Sequence, residues 1–84
     1  MVTESLRALP STDELLDQAI GLRADADLMD GYARRLLATA AELSACSAAP
    51  EWSRPALERQ AAACGTAAEQ LRTAAAALLA HSRA

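Results

Sequence analysis

The fold is decided between Cys46 and Leu57, where the sequence reads CSAAPEWSRPAL. Long alanine-rich runs flank this stretch on both sides, and inside it sit two of the three prolines and the only tryptophan. A residue before proline is pushed out of the α region, so Ala49-Pro50 predicts the end of one helix. Pro55 suits the first turn of another, where its missing N–H would be unpaired anyway, with Ser53 just ahead as the N-cap. The stretch therefore reads as an elbow carrying Trp52 between two helices that fold back on each other.

Upstream of the elbow, Ser11 and Glu14 have the spacing of a capping box, and Asp13, Glu14 and Asp17 suit the positive end of a helix dipole. Leu15, Leu22, Met29, Leu36 and Leu43 then fall every seven residues, with Ala19, Ala26, Ala33 and Ala40 four residues after the first four. In heptad terms alanine holds a and leucine or methionine holds d. Downstream, Leu57, Cys64, Leu71 and Leu78 take d, and Ala61, Ala68, Ala75 and Ser82 take a. The two seams match, and alanine at a lets two backbones approach closely. The fold class is all-α: an antiparallel two-helix hairpin, with helices over about 12–47 and 55–82 and an elbow over 48–54. Residues 1–84 make a single domain, and Val2, Leu6 and Leu9 ahead of Pro10 form a flexible or short helical lead-in.

Gly21 and Gly31 lie off the seam and would mark a bend or the close approach of a neighbouring helix. Cys46 and Cys64 are predicted free, because an antiparallel hairpin turning near residue 51 sets them ~13 Å apart along the axis, beyond the ~7 Å limit for a bridge. Cys64 is expected as a small core residue.

A seam of nine large residues and alanines buries little apolar surface for a chain of this length. Leu16, Ile20, Leu28, Leu37 and Leu79 lie outside it, and Leu16, Ile20, Leu37 and Ala41 form a second stripe beside the first. A second stripe calls for a second partner, so the hairpin is expected to dimerise into a four-helix bundle, with itself or with a related helical protein. The interface residues are Leu16, Ile20, Leu37 and Leu79.

Composition limits the function. Alanine is the commonest residue and phenylalanine is absent, a balance that favours helix over sheet. All eight basic residues are arginine and the net charge is −3, which argues against a nucleic-acid partner. No apolar run approaches the ~20 residues of a membrane span, and the first residues lack the pattern of a cleaved leader. The expectation is synthesis in the cytoplasm, with any export proceeding without a cleaved signal peptide. His81 stands alone near the end of the second helix, and Asp25, Asp27 and Asp30 point in different directions on a helix. No catalytic, metal or cofactor site is expected, and the protein is read as a non-enzyme. Trp52 either covers the open end of the hairpin, its indole N–H bonded to a helix-terminal carbonyl, or serves as an aromatic anchor for a partner.

A helix, an elbow with tryptophan and an alanine-rich helix resemble the WXG (Trp-x-Gly) family of small proteins linked to type VII, or ESX, secretion in actinobacteria and firmicutes. The matching residues are Trp52-Ser53-Arg54, followed by Pro55-Ala56, and the resemblance covers roughly residues 12–82. It implies hairpins that pair into four-helix dimers and leave the cell folded, as small secreted substrates or as targeting partners of one. Arg54 stands where the family has glycine. The family's export signal, a tyrosine followed four residues later by an acid, does not occur after the second helix, and Tyr32 has Leu36 at that spacing. An exported complex would then take its signal from the partner. The alternative is an adaptor or antidote-type module that stays in the cytoplasm and masks the apolar face of a helical partner; a membrane-active role is a distant third.

Overall fold

The computed structural model describes residues 11–83 as two helices, α1 (Thr12–Ser44) and α2 (Ser53–Ser82), packed along each other as a hairpin. The fold is the expected antiparallel hairpin, and among the described residues there is no strand. The lead-in expected over residues 1–10 lies outside the described residues.

α1 starts as its sequence dictates. Ser11 is the N-cap, in extended backbone, and its hydroxyl accepts from the Glu14 N–H at 3.2 Å. α1 then stops at Ser44, three residues short of the expected end. Ser44 bonds its Oγ back to the Ala40 carbonyl at 3.1 Å. From there the chain tightens into successive turns: Cys46 N–H donates to Leu43, Ala49 to Cys46 and Ser53 to Pro50, at 3.0–3.2 Å. No described residue has positive φ. The elbow therefore bends without any left-handed backbone and needs no glycine.

α2 begins two residues earlier than expected, and Ser53 is not its cap. Trp52 is the N-cap, in α-region backbone and without a capping side chain. Its carbonyl accepts from Ala56 N–H at 3.1 Å, so the turn through Pro50 runs straight into the helix. Pro55 becomes the third helical residue, where no N–H is required. Arg54 is helical as well, so a side chain there meets no backbone penalty.

The interior is made of alanine. Ala19, Ala26, Ala40, Ala61, Ala68 and Ala75 are at most 4% exposed, and Leu15 at 7% is the one larger buried side chain among the described residues. The d residues Leu22, Met29, Leu36, Leu43, Leu57, Cys64, Leu71 and Leu78 are all half-buried, as is Ala33. The reason is geometric. A methyl at a lets the backbones close up, and side chains longer than the remaining gap are then pushed to its two sides. Cys64 is thus at the margin of the seam and not in its core, and both cysteines are free.

The molecule is one helix thick, 13 Å in its smallest dimension, so both sides of the seam face solvent. Its accessible surface of 6334 Å² exceeds the roughly 4,800 Å² expected of a compact monomer of this mass. Gly21 and Gly65 have no atom within 4 Å of a would-be Cβ, and at Gly31 only the Arg34 guanidinium comes within 4.0 Å. The close approach expected at Gly21 and Gly31 is absent within the hairpin.

Candidate functional site: the elbow and two open flanks

Among the described residues six large apolar side chains remain on the surface: Leu16, Ile20, Leu28, Tyr32, Leu37 and Trp52. Their heptad positions divide them between the two sides of the seam and the tip.

One flank holds the e and b positions. Leu16 and Leu37 stand at e and Ile20 at b of α1, with exposures of 36%, 50% and 66%. Leu79, at e of α2, is half-buried. The expected stripe is present but not continuous. Between Ile20 and Leu37 the same positions carry Arg23, Asp27, Asp30 and Arg34. Arg72, from e of α2, reaches across: its Nη2 donates to Asp27 Oδ1 at 2.7 Å and lies 2.7 Å from Asp30 Oδ2. This clasp shows the register of the hairpin, with Arg72 within reach of residues 27–30. The hydrogen bond to Asp27, then that to Asp30, raises the guanidinium pKa above its ordinary value. Asp27 and Asp30 thus share one direction, contrary to the sequence expectation. The i, i+3 spacing that brings them together was available to see; the arginine on the other helix was not.

The opposite flank was missed by sequence reasoning as a unit. Tyr32, Arg35, Leu36, Thr39 and Cys64 line a hollow of about 310 Å³, and the Arg35 guanidinium lies over the Tyr32 ring, 5.9 Å from its centre. Leu28 is exposed one turn away from Tyr32. The signal was positional: Leu28 and Arg35 share position c, and Tyr32 and Thr39 share position g.

At the tip, Trp52 is 70% exposed, and its indole makes no hydrogen bond among the described residues. It does not cover the end of the hairpin, so the capping role expected for it is not taken up. Of its neighbours, Ser53 and Pro55 are half-buried and Arg54 is exposed, 3.8 Å from Glu58. A second hollow of about 310 Å³ lies among Leu43, Ser44, Cys46, Ala49, Pro50, Glu51 and Arg54.

Among the described residues no group of three or more His, Cys, Asp or Glu is placed to hold a metal ion, and no helix is long and apolar enough to cross a membrane. Comparison with protein-family models, with curated proteins and with solved structures gave no match for this chain.

Proposed function

We propose that this chain is a non-enzymatic pairing module of a type VII secretion system, a WXG-like hairpin that joins a helical partner and is exported as a small substrate or escorts one. The observation that carries the reading is the exposure of Ile20, Leu37 and Trp52 on a hairpin whose own interior is alanine. Side chains of this size outside the core are what a pairing surface requires. The resemblance of the elbow, Trp52-Ser53-Arg54, supplies the system. Arginine in the glycine position is compatible with it, since residue 54 is helical here and needs no special backbone.

The second reading is a cytoplasmic adaptor that masks the apolar face of another helical chain. It is favoured by Tyr32, the only tyrosine, which lacks an acid four residues on. Export separates the two. The protein is expected in the medium of its native host when the secretion machine is intact and only in cells when the machine is disabled. Retention in both strains, with a stable helical complex inside, would replace the first reading with the second.

A further inference from the structure

We propose that the flank opposite the e–b stripe carries a binding site for a small anionic amphiphile, a free alkyl carboxylate. Arg35 holds its head group, and its chain lies in the hollow between Tyr32 and Cys64. The site stands apart from the surface assigned to pairing and involves none of its residues.

Charge selects the head group. Between Asp25 and Glu42 the c and g positions of α1 carry Leu28, Tyr32, Arg35 and Thr39, so Arg35 is the one charge among them. Across the seam, the c and g positions of α2 from Gln60 to Ala77 hold only alanine and glutamine. Arg35 makes no ion pair among the described residues. Its guanidinium lies over the Tyr32 ring, 5.9 Å from the centre, among the side chains that line the hollow. Thr39 already donates its hydroxyl hydrogen to the Arg35 carbonyl at 3.0 Å. The strong donors left for a ligand are the Arg35 guanidinium and the Tyr32 hydroxyl, and the planar fork of the former matches the two oxygens of a carboxylate.

Volume and lining select the rest of the ligand. An exposed guanidinium alone holds an anion weakly in water, so affinity has to come from apolar contact beside it. Tyr32, Leu36 and Cys64 supply that contact in a space of about 310 Å³, and at ~30 Å³ for a water-sized group this takes roughly ten heavy atoms. One alkyl chain enters such a space; a helix, ~10 Å across, does not. From Tyr32 the apolar surface continues to the exposed Leu28, one turn on, so a longer chain still has carbon to lie against.

The hollow at the tip has the same volume and different chemistry. Glu51 lines it, and its Arg54 is already 3.8 Å from Glu58. On the e–b flank, Arg72 is occupied by Asp27 and Asp30. Only the Tyr32 hollow joins an apolar wall to a base that no acid holds.

The two cysteines provide the readout, because Cys64 lines the proposed site and Cys46 lines the tip. Alkylation of both by iodoacetamide is followed by mass spectrometry of the full chain, with decanoate added below its micelle concentration. At saturation decanoate should slow Cys64 by about fivefold or more and leave Cys46 and the helicity unchanged. Affinity should rise about two- to fourfold per methylene from hexanoate to decanoate. Decanol, with the same chain and no charge, should bind about tenfold more weakly. Arg35 lies outside the seam, so its variants should fold. Arg35→Gln should lose the preference for acid over alcohol, and Arg35→Glu should reject decanoate and take decylammonium instead. Cys64 left unprotected, equal protection by decanol, or Cys46 slowed alongside Cys64 would each overturn the proposal. So would protection by anionic vesicles but not by free decanoate, or an Arg35→Glu chain that still takes decanoate.

Discussion

The alanine column and the e–b flank lie side by side and differ in what they expose. Along the column, side chains of one methyl are buried almost completely, Ala26, Ala68 and Ala75 at 0%. A few ångströms away Ile20 and Leu37 stand at 66% and 50%. The fully buried positions are filled almost entirely by alanine, while several of the larger apolar side chains stay outside. What holds the hairpin shut is close approach of the two helices; what it presents outward is the apolar bulk that a larger core would have consumed. Stability of the hairpin and the association proposed for it would thus reside in different residues, and substitutions should separate them.

The largest loss of stability should come from filling the column. Ala68→Leu puts a branched side chain where none fits, forces the backbones apart and should cost about 1–3 kcal/mol in urea unfolding at fixed chain concentration. Leu71→Ala removes a half-buried d residue and should cost roughly 1–2 kcal/mol, below the range for full burial. A column no more sensitive than Leu71 would break the comparison. Gly21→Ala meets no neighbour and should raise stability by about 0.5–1 kcal/mol, read as a higher midpoint of thermal unfolding. Trp52→Ala should change hairpin stability by no more than about 0.5 kcal/mol, because the ring is largely in water. Its effect should appear in partner binding; a marked fall in the midpoint would return Trp52 to a structural role.

The hairpin was legible because heptads and an elbow with two prolines leave few alternatives. The seven-residue repeat of Leu15 to Leu43 and of Leu57 to Leu78 fixes which faces meet. What the repeat could not rank was a against d. Both are apolar in the pattern, and only the helix separation, set by alanine, decides that the leucines end half-exposed. The helix ends were misplaced for a local reason: the turns through Leu43, Cys46 and Pro50 use no positive φ, so no glycine marks them. The proposed interface residues Leu16, Ile20 and Leu37 were legible as a stripe, but its charged centre was not, since Arg72 joins Asp27 across 45 positions of sequence. Trp52 was legible as the tip, whereas its exposure depended on Pro50 and Trp52 leading directly into α2.

The measurement that bears most directly on this division is the solution mass of the purified chain by light scattering over a dilution series, with helicity followed by circular dichroism. The account predicts a helical species of twice the 8.8 kDa chain mass that Leu37→Asp converts to monomer. A monomer at every concentration, as helical and as stable as the undiluted protein, would contradict it, because the exposed flank would then have no part in completing the fold.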